Sequence, residues 1–284
     1  MKKFKNLTIQ DDFMFSKAMT ANLELTKKVI ELITDRKVED VKFHKSQYAV
    51  NSFVEAKGAR FDVLLEGDDV RYDIEMQVKK QNDLIERNLY YTSMLVVDSL
   101  KEGRSYKDIP HIFTIFICIF DPFNEGEEKY VIKEKVESCG KDITGKIHYE
   151  CGYDKIYLNA GLIKPNHTEG NKELTNFLEY IRSNIALDKL TEEIDDFVEE
   201  AKISPEMEIE YMTLEEKLKM YKAEGIAEGK QEQAVETAKN LLLMTDLSKT
   251  KISEITSLSE EEIEGLLQEI KKWNKWLHFT IRHT

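Results

Sequence analysis

The chain has 284 residues, with 41 Lys+Arg against 54 Asp+Glu for a formal net charge of −13, 41 % hydrophobic residues, 12 Gly and 4 Pro. That apolar content excludes a disordered acidic tail, the scarcity of Gly and Pro excludes a collagen-like fibre, and the acidic total argues against a binder held to nucleic acid by charge alone. The length is that of about two domains, or of one core with a long appendage.

The N-terminus, MKKFKNLTIQDDFMF, opens on lysines, but Asp11 and Asp12 return charge before any apolar stretch long enough for a signal peptide. From Asp12 to about Ile33, apolar residues at Phe13, Phe15, Met19, Leu23, Val29, Ile30 and Ile33 predict one helix. Strands are expected over Val41–Val50, Arg60–Glu66 and Arg71–Val78, with Gly67-Asp68-Asp69 as the turn joining the last two into a hairpin. Asp83 can cap a second helix through Leu89, Met94 and Leu100. The longest apolar run, Ile112–Phe120 (IFTIFICIF), is about half of the ~20 residues a spanning helix needs, and its β-branched and aromatic residues suit a buried strand. No membrane span is expected. The order to this point is α-β-β-β-α-β.

Further strands are expected over Tyr130–Val136 and Lys146–Leu158, then helices over Asn171–Asn184, Asp188–Ala201 and Glu206–Met244. The last is long and highly charged, and its Gly225 and Gly229 predict a weak or kinked point. A short helix over Ile252–Thr256 and one starting at Ser259, with Glu262 completing a capping box, close the chain. Residues Trp273–Thr284 abandon the charged pattern. The expected organisation is a core over 1–160, a helical extension over 161–245, a terminal helix pair over 246–272 and a tail over 273–284. Cys118, Cys139 and Cys151 are odd in number and lack CxxC spacing, which points to the cytoplasm, and His148 and Cys151 lack the second pair a zinc site needs.

Chemistry concentrates in the hairpin. Strand alternation sends Phe61, Val63 and Leu65 one way and Arg60 and Asp62 the other. In the next strand Tyr72, Ile74, Met76 and Val78 form the apolar face, and Arg71, Asp73, Glu75 and Gln77 the polar one. An even-numbered turn brings Asp62 beside Asp73 and Glu75. Such carboxylates repel unless one is protonated or a cation neutralises them, and Mg²⁺ held by one or two of them could activate a water against a phosphodiester. The alternative is a solvated strand face, which is the expectation for Asp73.

GARFDV, then YDIEMQV, then a helix with RNLYYTSML resembles the PD-(D/E)XK nuclease superfamily, and more narrowly the bacterial recombination-promoting nuclease and transposase family. The opening QDDFMFSKAM and the later AEGIAEGKQEQ and LSEEEIEGLLQEI segments are similar to that family as well, so the likeness runs to about Lys272. It implies an α/β, restriction-endonuclease-like core, with a mixed central sheet flanked by helices and a helical C-terminal extension. It also implies that Asp62 and Glu75 bind Mg²⁺, with Mn²⁺ as a substitute, and that Gln77 stands where the superfamily has Lys. Gln can orient a water or a phosphate but carries no charge, and Lys79, two residues on, could supply the missing cation. Asp12 is the candidate for a further metal-binding acid on the first helix, in competition with Asp11, Glu24 and Glu31. Arg60, Arg87 and Tyr91 are candidate DNA contacts, Arg87 and Tyr91 alternatively bracing the site.

The implied function is a Mg²⁺-dependent DNA endonuclease linked to recombination or mobile DNA; the alternative is an inactive relative serving as a DNA-binding or assembly module. Nucleotide-phosphate loops, a GxSxG elbow and HExxH are all absent from the sequence. The last helix begins Ser-Glu-Glu-Glu-Ile-Glu, which a phosphate backbone would repel, so it is expected to pack or to bind a partner, and the long charged helix suggests a homodimer. Residues 1–60 net +4, 61–124 net −5, 125–184 net −2 and 185–284 net −10. DNA contact is therefore expected on the first part of the chain, with a metal offsetting the carboxylates there.

Overall fold

The computed structural model describes residues 2–43, 49–50, 59–67, 69–100, 103, 105–146, 152–162 and 171–281, with the backbone alone at 49–50, 59–60 and 273–281. The chain forms two compact units, 1–208 and 209–284. The first contains α1 (Asp12–Ala21), α2 (Leu23–Thr34), β1 (Lys42–Phe43), β2 (Ala49–Val50), β3 (Ala59–Arg60), β4 (Val63–Glu66), β5 (Val70–Gln77), α3 (Leu84–Ser99), β6 (His111–Cys118), β7 (Lys129–Ile132), β8 (Glu137–Ser138), β9 (Lys141–Asp142), β10 (Tyr153–Asn159), α4 (Lys172–Ser183) and α5 (Lys189–Lys202).

Six strands form a mixed sheet in the order β1-β4-β5-β6-β10-β7. β1, β4 and β5 run antiparallel in succession, β5, β6 and β10 are parallel, and β7 closes the sheet antiparallel to β10. A parallel connection needs a crossover, and α3 provides it between β5 and β6. On the face α3 covers, Phe61, Leu64, Met94, Leu95 and Ile112 pack together, as do Leu84, Phe116, Cys118 and Tyr157. On the other face Tyr72 stacks on Phe113 at 5.0 Å, and the Arg36 guanidinium, just past α2, lies 5.2 Å from the Phe113 ring. Covering on both faces is why β6, after its first residue, reads as an apolar run broken only by Thr114.

The expected helix over 12–33 is two helices. Asn22 interrupts it with φ −138° and ψ 110°, and its side chain accepts hydrogen bonds from Glu24 N and Leu25 N, so it ends α1 and caps α2. The strand expected over 41–50 contributes β1 to the main sheet and β2 to a separate two-stranded ladder with β3, residues 44–48 lying outside the described residues. Asp83 stands at the start of α3 without a side-chain capping bond. The β8–β9 hairpin was not expected; it turns through Cys139 and Gly140, both at positive φ. α4 and α5, beyond the boundary expected at 160, pack on α1 and α2 within the first unit. Gln10 Nε2 donates to the carbonyls of Ile181 (2.8 Å) and Arg182 (3.1 Å), tying the chain start to the end of α4.

The second unit contains most of α6 (Pro205–Met244), then α7 (Lys249–Thr256) and α8 (Glu260–Ile281). Ala238, Ile252, Leu258 and Ile263 form its core. The expected capping box is present, with Ser259 N donating to Glu262 Oε2 at 2.8 Å and Glu262 N to Ser259 Oγ at 3.2 Å. α6 is unbroken through Gly225 and Gly229, and the space around both is open. Among the described residues no helix is long and apolar enough to cross a membrane.

Gly161 is different. A Cβ there would fall 2.6 Å from Phe120 Cα and 2.8 Å from Ile119 O, where β10 ends against the continuation of β6. Gly161→Ala is expected to destabilise the first unit by about 1–3 kcal/mol. Gly225→Ala, on an exposed helix with nothing to displace, is expected to stabilise α6 by roughly 0.5–1 kcal/mol. Chemical denaturation followed by far-UV circular dichroism checks both.

Candidate active site

The β4–β5 register pairs Val63 with Ile74, Leu64 with Asp73, Leu65 with Tyr72 and Glu66 with Arg71. This is the even-turn register, and continuing it puts Asp62 opposite Glu75. There the backbone ladder gives way to side chains. Asp62 N donates to Glu75 Oε1 at 2.8 Å, and Met76 N donates to Asp62 Oδ2 at 3.1 Å. Each carboxylate thus fixes the other's strand, and the strand expected over 60–66 is interrupted at Phe61 and Asp62 because the Asp62 amide bonds to a side chain. From α1, Ser16 Oγ donates to the Asp62 carbonyl at 2.9 Å.

Asp73, expected on a solvated face, is 0 % exposed; Glu75 and Gln77 follow at 3 % and 5 %. The alternation holds along β5, but α3 lies over its polar face, and Phe61, before β4 begins, packs with Leu64 and Tyr91 on that face rather than with Val63 and Leu65. Thr92 on α3 meets Thr114 of β6, paired with Asp73 across the sheet, with their hydroxyls 3.0 Å apart. Neither carboxylate oxygen of Asp73 meets a donor among the described residues while both acids are ionised, and the adjoining Glu75 carboxyl can share a proton with it. Burial, above all, drives the Asp73 carboxyl well above the ordinary carboxylate range, and the charge of Asp62 pushes it further. Burial does the same to Glu75, reinforced by the charges of Asp73 and Asp62. Three acids thus share one face, Asp73 and Glu75 buried and Asp62 half-buried.

Gln77 and Arg87 are brought together: Arg87 Nη1 donates to Gln77 Oε1 at 3.0 Å and to Gln81 Oε1 at 2.9 Å. The same guanidinium lies 5.8 Å from the centre of the Tyr91 ring. Tyr91 sets its edge against Phe61 at 5.3 Å, next to Asp62, and against Phe116 at 6.0 Å. Burial raises the Tyr91 hydroxyl's pKa, and the charge of Glu75 adds to that. Lys79 is not brought in. β5 ends at Gln77, so the alternation does not reach Lys79, which is exposed and makes no hydrogen bond or ion pair among the described residues.

Asp12 is the first residue of α1 and exposed, one turn before Ser16 on the same side of the helix. Of the acids weighed against it, Asp11 Oδ2 accepts from Thr8 N at 2.8 Å, Glu31 Oε1 accepts from Val38 N at 2.8 Å, and Glu24 pairs with Lys27 at 3.1 Å. The side chain of Arg60, and all of His148 and Cys151, lie outside the described residues. Sequence reasoning missed Ser16, Thr92, Thr114 and Asn88, whose Nδ2 donates to the Thr114 carbonyl at 3.4 Å. The last three had a weak signal, a polar residue inside an apolar run and two polar residues one turn apart on the facing helix.

A family model of PD-(D/E)XK nuclease family transposases matches residues 11–238. The chain belongs to that family. No curated protein and no solved structure matches it. The match spans Asp12, Asp62, Glu75, Gln77, Arg87 and Tyr91 and ends inside α6, short of the terminal helix pair. Nucleases of this family typically use divalent metals. Among the described residues no three His, Cys, Asp or Glu gather into a metal-binding group. Mg²⁺ needs no such cage; one or two carboxylates, waters and substrate phosphate suffice. Asp62 and Glu75 could supply them, and the buried oxygens of Asp73 meet no donor among the described residues, so the residues present fit such an ion.

The folded protein binds protons at Asp73 and Glu75 more tightly than the unfolded chain. The stability this confers is fully present below the ordinary carboxylate range and is lost as pH rises through the raised values. Asp73→Asn removes one of these charges. In the metal-free protein it is expected to raise the melting temperature on the order of 5 °C at about pH 8, the gap closing toward about pH 4. Calorimetry in chelator across that range checks it.

Proposed function

We propose that the protein is a Mg²⁺-dependent DNA endonuclease that hydrolyses phosphodiester bonds in recombination or the movement of mobile DNA, and that it works in the cytoplasm. The observation that carries this is the reciprocal Asp62–Glu75 arrangement beside the buried Asp73, in a chain of the nuclease transposase family. Asp62 and Glu75 would hold the ion, with Asp12 reaching in from α1; Mn²⁺ would serve in place of Mg²⁺. When bound, the cation supplies a Lewis acid that lowers the pKa of a water and offsets charge on the phosphate oxygens.

The chain's own residues do the rest. The hydrogen bonds at Asp62 N and Met76 N hold the two carboxylates in place before substrate arrives, so little reorganisation is needed on binding. Gln77 orients the water or a phosphate oxygen. Arg60 and Tyr91 contact the DNA backbone, and Lys79, exposed beyond β5, provides a cation at the rim. Residues 1–60, net +4, face the DNA, whereas the C-terminal hundred residues, net −10, keep their helices off it and serve a homodimer.

The test is nicking of supercoiled plasmid with Mg²⁺ or Mn²⁺. Asp62→Asn keeps a side-chain oxygen for the Met76 amide but loses the charge, and it is expected to slow nicking at least about 100-fold while melting no lower than wild type in chelator, since it also relieves repulsion on Asp73 and Glu75. Mn²⁺ is expected to raise the melting temperature of wild type and not of the variant. Wild type that nicks under no metal or salt condition overturns the enzyme reading in favour of a DNA-binding or assembly module, the reading Gln77 in place of Lys would then favour.

A further inference from the structure

The family's motif position at Gln77 lacks a charge, yet a charge touches it. Gln77 is buried, and Arg87 Nη1 donates to its Oε1 at 3.0 Å. A guanidinium has five donors and no acceptor, so it can face only the oxygen end of the amide. The Nε2 end must then point away from Arg87, and no described residue takes a hydrogen bond from it. Arg87 is itself held, by Gln81 Oε1 at 2.9 Å and by the Tyr91 ring at 5.8 Å.

We infer that Arg87 is a positioning residue that stands in for the missing motif lysine, acting through Gln77. It converts an amide that could present either end into a donor of fixed direction. Hydrogen bonding to a cation also polarises the amide and strengthens its N–H groups as donors. The ammonium of a motif lysine would place a donor and a charge at one atom. Here the donor sits on β5 and the charge on α3, joined by one hydrogen bond. The oxygen or water that receives this donor belongs to the phosphodiester chemistry proposed above, and the inference rests on that reading for its substrate. It displaces two expectations: Lys79 is not the replacement cation, and Arg87 acts on Gln77 rather than on DNA.

Four proteins test it: Arg87→Ala, Arg87→Lys, Gln77→Lys, and Gln77→Lys combined with Arg87→Ala. Arg87→Ala is expected to slow single-turnover cleavage on the order of 100-fold, with DNA affinity in Ca²⁺ and Mn²⁺ affinity each changed less than about threefold. Arg87→Lys, which still donates, retains more activity than Arg87→Ala. Gln77→Lys alone sets two cations side by side and is slower than wild type, whereas in the Arg87→Ala background it restores at least about tenfold of the lost rate. Failure of that restoration, or a loss of DNA affinity that matches the loss in rate, overturns the inference.

A second readout needs no cleavage. In ¹⁵N-labelled wild type the Gln77 Nε2 resonance is expected to lie downfield of a free glutamine amide and to show a high order parameter, both moving toward free values in Arg87→Ala; an unchanged shift and order parameter overturn the positioning role. A fixed amide in a protein that cuts no DNA leaves the positioning intact and removes the endonuclease reading instead.

Discussion

The site depends on an exchange of hydrogen bonds in which two carboxylates replace part of a backbone ladder. Glu75 accepts the Asp62 amide and Asp62 accepts the Met76 amide, so neither side chain can move without loosening the strand opposite. An ordinary antiparallel pair joins strands through main-chain groups and leaves side chains free to rotate. Here the acids are part of the pairing. Like charges are brought to hydrogen-bonding range of each other's strands, and α3 then shields them from water. Hydrogen bonds from amides favour the ionised forms while burial and mutual repulsion oppose them, and for Asp73 and Glu75 the opposition wins.

Much of this was legible in the sequence, for reasons that differ by element. The hairpin register followed from alternation, because a slip of one residue would put Tyr72 and Ile74 on the wrong side, and the observed pairs agree. The capping box at Ser259 and Glu262 was readable because its chemistry is local. What was not legible depended on partners distant in sequence. Alternation tells which residues share a face but not whether a helix covers that face, so Asp73 looked solvated and is buried. The Asn22 break was hidden because apolar spacing continued through it while a single side chain redirected the backbone. Lys79 drew attention by its place in the motif, whereas Arg87 meets Gln77 from the next helix.

The charge of the chain also takes on spatial meaning. The buried acids account for only a small part of the −13, most of which belongs to the last hundred residues. Most of them, from Ile209 on, form a compact unit of helices with a small core of its own around Ile252 and Ile263. The acidic surface and the acidic site are thus separate properties, one long-range and screened by salt, the other enclosed and screened little.

From Asp62 to Tyr91 the acids, Gln77, Arg87 and the aromatic brace all fall within one hairpin and the helix that follows it. Such a segment has short sequence separations and closes its loops cheaply, the kind of contact that forms early in folding. Burial raises the carboxyls of Asp73 and Glu75 more than their mutual charge does, so the cost of these acids is met when α3 docks over the hairpin and not in the hairpin alone. A change that loosens α3 therefore weakens the core and relieves the acids at once, and its two effects on stability oppose each other.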